Sequence, residues 1–328
     1  SVKNPLHDLV IMFRLLQFYR LLQPVLVHHV SLKVILLGGP GALLAGVPVI
    51  INALTGLGYA FSSNSRRAAL LRLFIRPLLG LILKRDNSRT VVQNPDDMQL
   101  LQEKGLTAAE RTVLIKGAGI DTNSFYPADF PPEPLRVILP ARLLADKGVY
   151  EFVKAAELLA QDNATVRMIL VGDVDPDNPL SIEPLQLQEW SDQGTVEWWG
   201  YRQDMLEVYH QAHVVCLPSY REGFPKVLLE AAACGRPLIA TDVPGCREAV
   251  VAGKTGTLVP VKNAAAIAAA VKYYLTNSDM IKAHGKAGYE FIINRYTTEI
   301  INKQTVDLYN DTIQTCIKQK ATKARSDD

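Results

Sequence analysis

The sequence is short of several features that would assign a class at once. Its four cysteines, Cys216, Cys234, Cys246 and Cys316, show no C-x-x-C spacing. That excludes a disulfide scaffold and leaves reduced thiols of a cytoplasmic protein as the expectation. Charge is nearly balanced, with a formal net charge of +2, and no signal peptide is legible. No charged residue occurs between Lys33 and Arg66, yet Gly38-Gly39-Pro40-Gly41, Gly46, Pro48 and Gly56 cut that run into pieces of strand and helix size. A buried βαβ unit is therefore favoured over a membrane span. At 328 residues, 48% hydrophobic and 21% charged, the chain is an ordinary α/β sequence with room for two cores, neither collagenous nor disordered.

The small net charge hides an asymmetry. Residues 1–128 hold 14 Lys and Arg against 7 Asp and Glu, so the front is basic and the remainder acidic. The densest part, RRAALLRLFIRPLLGLILKR over 66–85, is a cationic amphipathic segment with Arg72, Arg76, Gly80 and Lys84 on one narrow stripe. Pro77 is expected to kink or split it. Such a segment either packs deeply into its domain or lies partly in a membrane interface, its basic residues on anionic headgroups. Nucleic acid is a poor third reading, because no reader motif or aromatic platform accompanies the charge.

The most informative stretch is 213–260. A short apolar strand, His213 to Leu217, ends in Pro218-Ser219, and a loop carries Glu222 and Gly223 into a helix. Pro225 suits the first helical position and Gly235 the C-terminal cap; a second apolar run, Pro237 to Thr241, follows. This is a βαβ unit, and such units bind ligands beyond the carboxyl ends of their strands, where free N–H groups and the helix dipole favour phosphate. Glu230 lies in the otherwise apolar helix. It is either a buried carboxylate that needs partners or half of a surface pair with Lys226, four residues away.

The run E-G-F-P-K-V-L-L-E over 222–230, two glutamates with seven residues between them, resembles the signature of retaining, nucleotide-sugar-dependent glycosyltransferases of GT-B architecture (the family 4 type). The resemblance implies that Glu222 contacts the transferred sugar, as the residue nearest the chemistry. It implies that the Gly223 and Phe224 amides face sugar and phosphate, and that Glu230 holds the ribose hydroxyls. Pro225 departs from members with glycine there, so no amide contact comes from position 225. In A-R-L-L-A-D-K-G, residues 141–148, Arg142 and Lys147 match the pair that binds the donor diphosphate, where cations lower the barrier to nucleotide departure. Without the resemblance they would pass as solvated loop charges. Tyr201 and Arg202 fall where the family places its nucleobase loop.

Three further motifs extend the resemblance over nearly the whole chain. Gly117 to Asp121 with Phe125 and Pro127 resembles the hinge between the two GT-B domains. The T-G-L-G loop at Thr55-Gly56 and the G-D-V-D-P-D-N-P loop after the strand at 166–172 resemble a subgroup whose acceptors are sugars on undecaprenyl diphosphate. For Thr55-Gly56 the plain alternative is a tight turn using glycine's positive φ. A Ca²⁺ loop at Asp173 fails, since the sixth position is not Gly and the twelfth is Pro184.

The expected architecture is thus α/β, two Rossmann-like domains facing a cleft. Residues 1–128 form an acceptor-side domain incomplete at its N-terminus. Residues 129–328 form the nucleotide-sugar domain, its last helix, about 298–317, crossing back. The resemblance implies retaining transfer of a hexose or N-acetylhexosamine from a nucleotide sugar, UDP-linked, to a lipid-linked saccharide in cell-surface glycan assembly. It implies no metal and no cofactor, and a peripheral position on the inner face of the cytoplasmic membrane. The alternatives are a noncatalytic nucleotide-sugar-binding protein and a GT-B nucleotide-sugar epimerase.

Overall fold

The structure, a computed structural model, describes residues 5–56 and 66–326. The chain divides into two compact units, 1–117 with 301–328, and 118–300.

In the first unit, helix α1 (Pro5–Leu22) leads to strand β1 (Leu26–Val30), α2 (Leu32–Leu44), β2 (Val49–Leu54), α3 (Arg66–Leu83), β3 (Ser88–Val92), α4 (Pro95–Glu103) and β4 (Thr112–Leu114). The strands form one parallel sheet in the order β1-β2-β3-β4. β2 is buried along its whole length, as a central parallel strand covered on both faces must be. Asn94 caps α4 by accepting from the Asp97 amide at 2.8 Å, with Pro95 at the first helical position.

The interruption expected at residues 38–41 and the split allowed for at Pro77 do not occur. α2 continues through Gly38-Gly39-Pro40-Gly41 because these glycines serve close packing. A Cβ on Gly38 would meet His29 Nε2 at 2.7 Å, one on Gly39 would meet Ile82 at 2.7 Å, and one on Gly41 would meet the Leu16 backbone at 3.2 Å. Likewise α3 is not split at Pro77. Its C-terminal half is anchored by Leu79, Ile82 and Leu83, all fully buried, while Pro77 and Leu73 are exposed. The Leu73 carbonyl, left unbonded by proline, therefore lies where solvent can satisfy it. Among the described residues no helix is long and apolar enough to cross a membrane.

A polar row runs across this sheet. His29, Asn52, Thr90 and Thr112 are register partners on successive strands and all four are buried. His29 bonds Tyr19 and Asn52, each at 3.1 Å, and the Asn52 amide donates to Ser88 at 3.0 Å. Burial holds the His29 pKa below its ordinary value, so the ring serves as a neutral hydrogen-bonding group.

The second unit contains β5 (Leu135–Pro140), α5 (Val149–Gln161), β6 (Val166–Val171), α6 (Pro184–Asp192), β7 (Glu197–Trp198), α7 (Met205–His210), β8 (Val214–Leu217), α8 (Lys226–Ala233), β9 (Leu238–Thr241), α9 (Pro244–Ala249), β10 (Gly256–Val259), α10 (Ala264–Thr276) and α11 (Ser278–Ile293). Helix α12 (Thr298–Ser326) follows. It extends nine residues beyond the expected end, since the tail is rich in good helix formers such as Lys, Ala and Gln.

The second sheet is parallel, in the order β10-β9-β8-β5-β6-β7. Numbered within the unit this is the doubly wound order 3-2-1-4-5-6 read from the other edge. Its core gathers Val137, Leu139, Phe152, Leu170, Val214 and Ile239 between sheet and helices.

The expected division lay after residue 128, whereas the stretch from 118 belongs to the second unit. Ile120 bridges to Thr297, Phe125 packs on Tyr209 at 6.0 Å, and the Tyr126 carbonyl accepts from His210 at 2.8 Å. The buried Arg236 donates to the Ala128 carbonyl at 3.0 Å and lies over the Phe130 ring at 4.4 Å.

Candidate functional site

In the second sheet β5 and β8 are neighbours, but the chain leaves β5 toward β6 and leaves β8 toward β9, on the opposite side. The loops at their carboxyl ends diverge there, which is where a doubly wound sheet leaves room for a ligand. Glycines make the loops fit. Gly148 has φ +75°, and a Cβ on it would stand 2.2 Å from the Pro218 carbonyl oxygen. A Cβ on Gly172 would stand 1.8 Å from the Ala141 carbonyl oxygen. The Tyr220 amide donates to the Asp146 carbonyl at 2.8 Å, joining the loop after β8 to the loop after β5.

Lys147 and Glu222 meet across that junction, with Lys147 Nζ 2.6 Å from Glu222 Oε1 and both side chains largely buried. Gly245, at the start of α9, presses on the same turn: a Cβ there would meet the Gly223 carbonyl oxygen at 2.5 Å. Phe224 turns its ring edge to Tyr296 at 5.2 Å.

Beside this pair a pocket of about 610 Å³ is lined by Arg142, Asp175, Tyr201, Arg202, Tyr209 and Glu230, among others. Lys147, Glu222, Gly223 and Phe224 are not among its lining residues. Arg142 Nη1 lies 2.9 Å from Asp175 Oδ2, so the cation expected to meet a diphosphate is held by an aspartate. Arg202 pairs with Asp204 through Nε at 2.7 Å and through a second nitrogen. Tyr201 projects from the wall, 67% exposed.

Glu230 combines both sequence-level readings. It is buried, and Oε2 accepts from the Tyr209 hydroxyl at 2.7 Å, while Oε1 lies 3.3 Å from the exposed Lys226 ammonium. Burial, and then the Glu230 carboxylate, raise the Tyr209 hydroxyl well above its ordinary pKa. The proton stays on Tyr209, and Glu230 remains the acceptor. Pro225 sits one position earlier than expected: it is the N-cap of α8, with φ −76° and ψ 110°, and the helix opens at Lys226.

Tyr209 was not legible as a site residue, since it belongs to the short helix α7 and reaches Glu230 only through tertiary packing. Asp175, in the loop after β6, pairs with Arg142. Among the described residues no group of three or more His, Cys, Asp or Glu could hold a metal ion. All four cysteines are free and buried. Burial pushes the Cys234 and Cys246 thiols up to about 12, with the Glu222 carboxylate adding to the effect at Cys246, so these thiols stay protonated and inert. In the first unit Thr55 is exposed just after β2 and Gly56 has φ +146°. Leu57 and Gly58 of that motif lie outside the described residues.

Residues 134–277, which carry this constellation, match the family described as "Glycosyl transferases group 1". This segment is similar to the domain of group 1 glycosyltransferases. The chain is 29% identical over 284 residues to the N,N'-diacetylbacillosaminyl-diphospho-undecaprenol alpha-1,3-N-acetylgalactosaminyltransferase of Campylobacter jejuni, covering 82% of this chain and 72% of the relative. It is 26% identical over 169 residues to the capsular polysaccharide biosynthesis glycosyltransferase CapM of Staphylococcus aureus, covering 52% of this chain and 44% of that one. Among solved structures, Anabaena HepE in complex with UDP and glucose superposes with a TM-score of 0.76 at 18% identity, over 92% of this chain and 81% of HepE. The sucrose-phosphate synthase of Thermosynechococcus elongatus does so with a TM-score of 0.75 at 24% identity, over 91% of this chain and 76% of the synthase. The fold of two parallel α/β sheets is that of GT-B glycosyltransferases. The matched segment contains the pocket, the Lys147–Glu222 pair and the Tyr209–Glu230 pair.

Proposed function

We propose that the chain is a retaining glycosyltransferase that moves a hexose or N-acetylhexosamine from a UDP-linked donor to a lipid-linked saccharide. The observation that carries this reading is the pocket at the divergence of the β5 and β8 loops, where Arg142, Tyr201, Arg202 and Glu230 converge next to the Lys147–Glu222 pair. Glu230, held from one side by Tyr209, accepts the two ribose hydroxyls. Tyr201 and Arg202 flank the base. Arg142 exchanges Asp175 for the diphosphate, joined by Lys147 and the free amides at the start of α8.

As the bond to the diphosphate breaks, negative charge grows on the leaving group, and cations already in place stabilise it without a metal. Glu222 meets the hydroxyls of the transferred sugar, and Gly223 and Phe224 supply amides beside it. The donor assignment draws on HepE having been solved with UDP and glucose, and the acceptor on the name of the Campylobacter relative. Thr55 and Gly56 stand on the acceptor side. A lipid-linked acceptor puts the protein peripherally on the inner face of the cytoplasmic membrane, consistent with 11 Lys and Arg against 2 Asp and Glu in residues 1–95.

The test is a transfer assay with UDP-hexose and UDP-N-acetylhexosamine donors and undecaprenyl-diphosphate-linked saccharide acceptors, the product's anomeric configuration read by NMR. Retention at the transferred sugar is expected. UDP binding without turnover on every acceptor, or an inverted product, would contradict the proposal.

A further inference from the structure

The first unit holds a second pocket, of about 630 Å³, formed by α3 and the turn after α4 and lined by Leu73, Arg76, Gly80, Lys84, Lys104 and Leu106, among others. Its lining carries three cations and no carboxylate. α3 ends at Leu83 and runs into β3, and α4 ends at Glu103 before β4, so the pocket is at the amino ends of the strands. Thr55 and Gly56 follow β2 at the carboxyl ends, the side on which a parallel sheet binds its substrates. The pocket is therefore separate from the place expected for an acceptor sugar.

Lysines that follow helix C-termini commonly answer the negative end of the dipole. Here guanidinium groups already fill that role. Arg76 donates to the Lys104 carbonyl at 3.3 Å, and Arg111 donates to the Lys84 carbonyl. The nearby acids are engaged as well: Asp86 with Arg111 at 2.6 Å, and Glu103 with Gln99 at 2.7 Å. Among the described residues the Lys84 and Lys104 ammonium groups have no hydrogen-bond or ion-pair partner, which leaves uncancelled positive charge in a concave site. Gly80 opens the wall: a Cβ there would touch nothing within 4 Å, and its φ is not positive, so neither packing nor backbone requires glycine. At the rim Leu73 is 67% exposed, and Leu81 on the same helix is 53% exposed.

Cations that bind an anion, flanked by exposed apolar side chains on an amphipathic helix, match the chemistry of a lipid headgroup at a bilayer surface. We infer that this pocket takes the phosphate of an anionic phospholipid headgroup and holds the first unit on the membrane. The inference rests on the lipid-linked acceptor reading for its purpose, though not for its test.

The test is cosedimentation of the full chain with phosphatidylcholine vesicles, with and without phosphatidylglycerol, in the absence of donor and acceptor. Binding is expected only with phosphatidylglycerol, weakening as salt rises. Lys84→Ser/Lys104→Ser should weaken it at least ~10-fold, each basic residue near an anionic surface counting for about 1 kcal/mol. Lys282→Ser/Lys286→Ser, which removes equal charge from exposed positions on α11, should leave it unchanged. Thermal unfolding of both variants checks the fold. Equal binding to both vesicle types, equal loss in both variants, or saturation by inorganic phosphate with no vesicle binding would overturn the assignment. Transfer to a water-soluble acceptor analogue, assayed in parallel, reports on the glycosyltransferase reading separately.

Discussion

The Tyr209 hydroxyl donates to Oε2 of Glu230 at 2.7 Å inside the pocket wall, so one carboxylate oxygen is fixed by α7 while the other faces Lys226. Removing that hydroxyl leaves Glu230 free to turn and partly unsatisfied. Tyr209→Phe is expected to weaken UDP binding about ten-fold, near the lower end of ~1.5–3 kcal/mol for a hydrogen bond to a charged group. Titration calorimetry checks this, and unchanged affinity would remove Tyr209 from the site.

The Lys147–Glu222 contact at 2.6 Å joins the cation proposed for the diphosphate to the carboxylate proposed for the sugar, in one largely buried pair. Glu222→Gln is therefore expected to lower kcat by at least ~100-fold with little effect on UDP affinity, as removal of preorganised electrostatics typically does. Lys147→Ala should lower both, because it removes a diphosphate contact and leaves a buried carboxylate unpaired. Steady-state kinetics and calorimetry on the two variants separate these effects. Equal loss of UDP affinity in both would contradict the division of roles.

Excess EDTA should leave transfer unchanged, since in the proposed site Arg142, Lys147 and the amides opening α8 supply the positive potential. Loss of activity that Mg²⁺ or Mn²⁺ restores would transfer that role to a cation near Asp173 and Asp175.

Two glycines make opposite predictions. Gly148→Ala places a Cβ 2.2 Å from the Pro218 carbonyl oxygen at φ +75° and should destabilise the protein by more than ~2 kcal/mol, lowering Tm by several degrees. Gly80→Ala, in a helix interior with nothing within 4 Å, should stabilise by up to about 1 kcal/mol. Thermal unfolding of both distinguishes a loop that requires glycine from a helix that merely tolerates it.

The strands were legible because a buried parallel strand reads as a short apolar run between turn residues. The run His213 to Leu217 is β8, Val214–Leu217, and the run Pro237 to Thr241 is β9, Leu238–Thr241, each shifted by one residue at its start. Short helices were not legible: α7 and α9 have six residues each, too few for a helical period to register. Gly38 to Gly41, and the split allowed for at Pro77, misled for a physical reason. Glycine and proline signal breaks when local propensity decides, whereas here contacts with His29, Ile82 and Leu16, and the burial of Leu79 and Leu83, decide. Arg142, Tyr201, Arg202 and Glu230, named from motif positions, line one pocket. Their pairing with Asp175, Asp204 and Tyr209 was not legible, because neither a contact within a loop nor one between elements leaves a periodic mark.

Calorimetric titration of UDP into the wild-type chain and Glu230→Gln tests the proposed nucleotide site most directly. One saturable site is expected in the wild type, weakened between ~10-fold and ~100-fold in Glu230→Gln, as ~1.5–3 kcal/mol implies, with an unchanged unfolding temperature. Absence of UDP binding to the wild-type chain, or equal affinity in the two, would contradict the assignment of this pocket to the donor nucleotide.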